Sequence, residues 1–286
     1  MGQWMKRERN ITPLDKDEVR QNWKLRAPAW NRWASQIERM AHRFNEPLVE
    51  AASIGPGMRV LDLASGTGEP ALTIARTVGG EGRIVATDMV EEMLAGTTRR
   101  AAEAGLGQLE TRTADMEALP FDDASFDCVT CRFGIMFAPD PVQAMRETCR
   151  VLVAGGHTAW MVWGPLENTT LFAVIQREVR DFLGLAPDSD LAQFRFASPG
   201  MLADVMRDGG LADVAEQDLV FDAAPPAGSR FWEANVEMSF GADLAKLSDA
   251  DRVALDARVE EAFAAFLVGD RYRIKAHVRI GTGVRA

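Results

Sequence analysis

Cysteine and histidine are both scarce, three of each in 286 residues, and no apolar run approaches the roughly 20 residues that cross a bilayer. Three cysteines build no disulfide framework, and free thiols suit a reducing compartment, so the cytoplasm is the expected location, with no transmembrane segment. Cys128 and Cys131 spell C-x-x-C. On a strand, residues three apart face opposite sides, which rules out joint metal ligation and assigns both to packing; no metal is expected. The start, Lys6-Arg7-Glu8-Arg9, leads into polar sequence and not a signal-peptide core. Lys6 also stands where a myristoylation signal needs Ser or Thr. Positive charge is short as well: 32 Lys and Arg face 42 Asp and Glu, a net charge of −10. Affinity for phosphate chains rests on clustered cations, so nucleic acid is excluded as a partner and small molecules are favoured.

What is present suits one sizeable domain, since 47% of the residues are hydrophobic. Residues 1–53 include a helical segment from about 15 to 53, with Trp23, Trp30, Trp33, Ile37, Met40 and Phe44 near helical spacing. Residues 54–163 alternate strand and helix patterns, broken by Gly79-Gly80-Glu81-Gly82 and Gly155-Gly156. That rhythm predicts an α/β fold, a doubly wound parallel sheet with helices on both faces. Residues 164–212 read as a helical lid insertion, with a helix over about 170–183 and a loop through Pro187 and Asp188. Residues 213–286 close the chain: a strand near 215–221, a Pro225-Pro226 turn, helices near 229–240 and 249–266, and a strand over 272–280.

The densest information lies in Val60-Leu61-Asp62-Leu63-Ala64-Ser65-Gly66-Thr67-Gly68-Glu69-Pro70, a buried strand running into a glycine turn that opens a helix. Gly66 and Gly68 lack Cβ atoms, so the main chain can approach a ligand closely. Gly66 to Ala71 also satisfies the dinucleotide pattern G-x-G-x-x-A, with Asp88 at the expected distance. Two residues oppose a pyrophosphate there: Glu69 brings negative charge, and Pro70 removes an N–H at the helix start. Asp62 adds a second carboxylate. A cationic adenosyl ligand without phosphate, S-adenosylmethionine, suits this acidic mouth better.

These residues resemble the class I S-adenosylmethionine-dependent methyltransferases, in the branch of the ubiquinone and menaquinone C-methyltransferases. Ile84-Val85-Ala86-Thr87-Asp88-Met89 is similar to the family's second strand, which ends in the acidic residue that takes the ribose hydroxyls. Thr113-Ala114-Asp115-Met116 resembles the segment whose Asp caps the adenine amino group. Phe126 to Gly134 is like the fourth strand, and Arg150 to Gly156 like the turn before the fifth. The resemblance implies a Rossmann-like seven-stranded sheet of order 3-2-1-4-5-7-6 with strand 7 antiparallel. It also implies a cofactor cradle of Asp62, Ala64, Ser65, Gly66, Gly68, Asp88, Met89, Met93, Ala114, Asp115, Met116, Arg132 and Phe133, and S-adenosylhomocysteine as product. Independently, Gly66, Asp88, Asp115 and Arg132 all fall at carboxyl ends of strands, where open α/β sheets bind ligands.

A sulfonium methyl is a strong electrophile, so holding an acceptor in line supplies much of the rate without an obvious base. His157 and His277 read as structural. His42, in the N-terminal segment that family members fold over the site, is the remaining base candidate. Arg132 ends an apolar strand at the crevice, so it orients an anionic acceptor or pairs with a structural carboxylate. Trp30, Trp33, Met136 and Phe137 are the candidate walls of a pocket for a small-molecule methyl acceptor. Arg132-Phe133-Gly134-Ile135-Met136-Phe137 replaces a polar, Asn-containing stretch of the quinone enzymes, which argues against a quinone acceptor. A nicotinamide-dependent oxidoreductase, or a protein of this fold using the cofactor for other chemistry, are the alternatives.

Overall fold

Val60 to Leu63 and Ile84 to Thr87 are buried without interruption, the mark of parallel strands covered on both faces. The computed structural model describes residues 14–185 and 191–286. The charged start Lys6 to Arg9 and the loop at Pro187 and Asp188 lie outside the described residues. Five parallel strands come first: β1 (Arg59–Leu63), β2 (Arg83–Asp88), β3 (Leu109–Thr113), β4 (Phe126–Arg132) and β5 (Leu152–Trp163). β6 (Ala212–Ala223), the two-residue strands β7 (Leu267–Val268) and β8 (Arg271–Tyr272), and β9 (Ile274–Val284) follow. The main sheet has the order β3-β2-β1-β4-β5-β9-β6, with β9 antiparallel to both neighbours. This is the Rossmann-like order expected, with β9 as the seventh strand.

Helices cover both faces. α3 (Ala71–Val78), α4 (Glu91–Glu103), α5 (Pro141–Val151) and α7 (Met201–Asp208) are crossovers, preceded by α1 (Lys16–Arg32) and α2 (Ala34–Ala51). Period-two alternation divides each strand between two cores. Leu61, Val129, Cys131 and Trp160 pack with Met145, Leu202 and Met206, whereas Val60, Ile84, Cys128 and Ala159 pack with Leu48, Leu72 and Ile74. Cys128 and Cys131 are thus fully buried on opposite faces, and burial pushes both thiols far up. Among the described residues no cluster is fit to hold a metal, and no helix is long and apolar enough to cross a membrane.

Between β6 and β9 the chain departs from a tight hairpin. Residues 224–273 carry α8 (Glu233–Leu244), α9 (Asp249–Ala264) and the small β7–β8 hairpin. Together with α6 (Thr170–Phe182) they enclose a third core of Val174, Val179, Trp232, Phe240, Val259, Phe263 and Tyr272. The stretch 164–212 therefore divides between two layers: α6 joins this helical cap, while α7 packs on α5 and the sheet.

The first helix is built to sit on the fold. Asp15 caps it by accepting from the Glu18 N–H, and Trp33 separates it from α2. Asn31 donates to the Glu92 carbonyl of α4 at 2.9 Å, and a Cβ on Gly96 would lie 2.2 Å from the Asn31 amide oxygen. Only glycine permits this approach. On its other side, Trp33 Nε1 donates to Glu237 of α8 at 2.5 Å, and Arg32 pairs with the same carboxylate.

Candidate active site

One cavity opens at the carboxyl ends of β1, β2 and β4, roofed by α1, with about 960 Å³ of empty space including its mouth. The glycine turn forms its floor. Gly66 and Gly68 adopt φ of +55° and +116°, and nothing stands within 4 Å of a Cβ placed on Gly66. Ala64 and Phe133 also hold positive φ, +52° and +62°, and both line the cavity. Strain of this kind concentrates where a site over-determines the backbone.

Asp88 ties the end of β2 to the turn. Its carboxylate accepts from the Gly66 N–H and the Val90 N–H, each at 3.0 Å, and burial raises its pKa to about 6 against these hydrogen bonds. Asp62 lies behind the turn instead of in the cavity. It is fully buried, accepts from Thr130 Oγ1 at 2.7 Å, and its carbonyl accepts from Ser65 Oγ and Thr87 Oγ1. Burial pushes its pKa up to about 7, and its second carboxylate oxygen has no partner.

Glu69, read from sequence as free negative charge at the mouth, is neutralised internally. Arg100 of α4 donates to it at 2.9 Å, Asn45 of α2 at 2.6 Å and Thr73 at 3.1 Å. Arg100 also donates to the Thr67 carbonyl at 2.7 Å, so one buried guanidinium holds both the turn and the acid beside it.

α1 contributes the roof. Val19, Trp23 and Trp30 line the cavity from one helical stripe that begins at Lys16. Lys16 Nζ lies 2.6 Å from both the Asp115 and Glu117 carboxylates, and Asp115 in turn accepts from the Glu117 N–H. Trp23 meets Trp30 and Phe137 edge-on, with centroids 5.6 and 4.9 Å apart.

Arg132 is half-buried, and among the described residues no carboxylate is in ion-pair reach of it. Its Nη2 donates to the Glu69 carbonyl at 3.0 Å, its Nε has no partner, and burial lowers its pKa despite the nearby charges of Glu69 and Asp62. The adjoining Phe133 ring stacks on Trp163 at 4.1 Å with planes 3° apart.

Ala64, Ser65, Gly66, Asp88, Met89, Met93, Ala114, Asp115, Met116, Arg132, Phe133, Trp30 and Phe137 thus share one cavity. Five candidates lie elsewhere. Asp62 braces the turn, and Gly68 packs its backbone toward Leu72. Met136 is buried in a core beside the sheet, and Trp33 turns to Glu237. His42 is exposed, lies 3.4 Å from Glu46 one turn on, and does not line the cavity. Lys16, Trp23, Thr67 and Glu117 line the cavity without having been singled out for it. For Lys16 and Trp23 the signal was available in their helical register with Trp30.

The profile of the ubiE/COQ5 methyltransferase family matches residues 35–180. A ubiquinone/menaquinone biosynthesis C-methyltransferase UbiE of Idiomarina loihiensis is 32% identical over 179 residues, 59% of this chain and 68% of its own. An uncharacterized protein of Mycobacterium tuberculosis is 40% identical over 131 residues, 46% of either chain. The chain spans about half the length of the curated relatives it matches first. Among solved structures, the [4+2]-cyclase SpnF superposes with a TM-score of 0.60 at 20% identity, over 96% of this chain and 98% of that one, a likeness of fold.

Proposed function

The chain belongs to the ubiE/COQ5 methyltransferase family, and from that premise we propose that it transfers a methyl group from S-adenosylmethionine to a small-molecule acceptor. The observation that carries the reading is the cavity in which the open Gly66 turn, the Asp88 carboxylate and the Asp115 carboxylate converge from separate strand ends. Gly66 leaves space against bare backbone, Asp88 offers its remaining lone pairs to vicinal hydroxyls, and Asp115 accepts from an exocyclic amine. Met89, Met93 and Met116 supply polarizable padding around a flat base. Of the two cations that line the cavity, Lys16 is committed to Asp115 and Glu117, and Arg132 is held by the Glu69 carbonyl.

When bound, the cofactor supplies an electrophilic methyl carbon whose bond to sulfur breaks as the acceptor bonds to it, the electron pair remaining on sulfur. The protein's part is placement. Trp23, Trp30 and Phe137 exclude water on the α1 side, Arg132 and Phe133 shape the floor, and α1 acts as a lid over both ligands. We assign the described part of residues 1–53, from residue 14 on, to this lid and 54–163 to the cofactor-binding core.

Thermal unfolding with S-adenosylmethionine, S-adenosylhomocysteine and nicotinamide dinucleotide tests the reading. A ligand at 100 times its dissociation constant adds about 2.7 kcal/mol of stability. Stabilisation by both adenosyl ligands, with S-adenosylhomocysteine appearing on addition of an acceptor, is expected. Stabilisation by the dinucleotide alone would overturn it, and binding without S-adenosylhomocysteine formation across an acceptor screen would leave a protein of this fold with other chemistry.

A further inference from the structure

Outside the cofactor cradle, a half-buried guanidinium presents an unused fork. Arg195 follows the 3-10 turn Ala192–Phe194, and its Nη1 donates to the Met136 and Ala138 carbonyls, each at 3.1 Å. Its Nε and Nη2 are buried without a partner. Those two nitrogens share one edge of the planar guanidinium, the edge that grips a carboxylate with two parallel hydrogen bonds. The backbone carbonyls on Nη1 fix its orientation. Burial lowers the pKa of Arg195, and among the described residues no acid opposes that shift.

A buried, unanswered charge is costly, and in a chain with ten more acids than bases its isolation calls for a reason. A second cation repeats the pattern. Arg26, on α1, lies 5.4 Å from the centre of the Trp23 ring, and burial lowers its pKa with no described acid to compensate.

Neither arginine lines the cofactor cavity, but each adjoins its aromatic rim. Trp23 touches Phe137, and the carbonyls that Arg195 holds belong to the residues on either side of Phe137. A chain of ring contacts runs from the stacked Phe133–Trp163 pair to Phe172 at 5.0 Å and on to Phe194 at 6.1 Å, immediately before Arg195. Phe133 and Phe137 also line the cofactor cavity, so the rim adjoins the place where a methyl group would be delivered. Gln193 Nε2, beside Phe194, and Gln176 Oε1, one turn beyond Phe172, are further buried atoms without partners.

Resting on the methyl-transfer reading, we propose that the acceptor is a planar aromatic carboxylic acid bound as its anion. The Nε–Nη2 edge of Arg195 receives the carboxylate, Arg26 adds charge from the lid side, and the ring lies against Phe137 and Phe133. Arg195 is a specificity-determining residue of this site.

Calorimetry on the S-adenosylhomocysteine-loaded protein tests the inference with two matched pairs, 4-hydroxybenzoate against 4-hydroxybenzamide and 6-hydroxy-2-naphthoate against its amide. At least one acid is expected to bind about tenfold more tightly than its amide, the size of one well-formed charged hydrogen-bond pair. Arg195→Gln should bring that ratio to near one with S-adenosylhomocysteine affinity unchanged, and Arg195→Lys should keep part of it. Should Arg195→Gln fail to fold, Arg26→Gln, which releases no backbone carbonyl, is expected to lower the same ratio. No preference for either acid, or a preference that survives the Arg195→Gln and Arg26→Gln substitutions, overturns the inference. Failure of S-adenosylhomocysteine to bind the unmodified protein instead removes the methyl-transfer reading beneath it.

Discussion

Lys16 Nζ and the Asp115 carboxylate stand 2.6 Å apart, joining the first turn of α1 to the segment that follows β3. The carboxylate proposed to recognise the adenine amine therefore also latches the roof. Burial pulls the Lys16 pKa down, but hydrogen bonds and charge from Asp115 and Glu117 outweigh it, so the lysine is charged throughout the neutral range.

Lys16→Ala should loosen that roof. The lysine side chain is 40% exposed and Asp115 31%, so solvent screens the pair and its contribution is small. S-adenosylhomocysteine is expected to dissociate about two- to fivefold faster, the range of an exposed ion pair. Stopped-flow dissociation should also accelerate with salt in the unmodified protein and lose most of that dependence in the variant. Equal rates at all salt concentrations would mean that α1 is not held by this contact.

Asp88 makes cofactor binding pH-dependent. Its pKa stands near 6 in the ligand-free protein because burial outweighs three backbone hydrogen bonds. A ribose needs the ionised form, so ligand binding pulls the pKa down and affinity falls as pH drops below 6. The expected loss is about tenfold per pH unit, with a plateau above pH 7. Calorimetry with S-adenosylhomocysteine from pH 5 to 8 checks this. Asp88→Asn should bind weakly with a flat profile, whereas a sloping profile in that variant would assign the titration to another group.

The sheet was legible in sequence because strands buried on both faces read as uninterrupted apolar runs, and because Cys128 and Cys131 could be sorted by period alone. The last strand was placed two residues early at its start and ended four residues short. Gly281 and Gly283 make poor strand formers, yet a Cβ on Gly281 would lie 2.7 Å from the sulfur of Met206, so the glycines admit α7 against the strand. The site was legible where a strand end announced it, as at Asp88 and Asp115. It was not legible where two distant segments meet. Nothing local marks Lys16 as the partner of a carboxylate 99 residues away, or Arg100 as the counterion of Glu69. The fork on Arg195 is likewise defined by which of its nitrogens the backbone occupies.

Glu69 and Arg100 form a buried ion pair at 2.9 Å whose arginine also holds the Thr67 carbonyl. Arg100→Met leaves the Glu69 carboxylate without its principal counterion, and removal of one partner from such a pair costs about 3–5 kcal/mol. A lower urea midpoint and loss of S-adenosylhomocysteine binding are expected together, because the turn loses its anchor. The double substitution Glu69→Gln with Arg100→Met should recover much of the stability but not the binding. Equal destabilisation in single and double variants would show that the charge left behind is not the cause.

Asp62 gives the opposite sign from most carboxylates. Burial raises its folded pKa to about 7, above its ordinary value, although Ser65, Thr130 and the charge of Arg132 pull it down. A raised folded pKa means that the native state holds the proton more tightly than the unfolded chain. The stability this confers is full below about pH 4, the unfolded pKa, and is lost as pH rises through 7. Asp62→Asn keeps the shape and an oxygen for Thr130 but cannot ionise, so its stability relative to the unmodified protein should climb with pH. Between pH 5 and pH 8 the difference should change by about 3 kcal/mol, at 1.4 kcal/mol per unit of pKa displacement. Urea unfolding of the two proteins across that interval checks it. A difference that stays constant with pH would mean that Asp62 remains ionised behind the turn, its charge stabilised by Arg132 more strongly than burial opposes it.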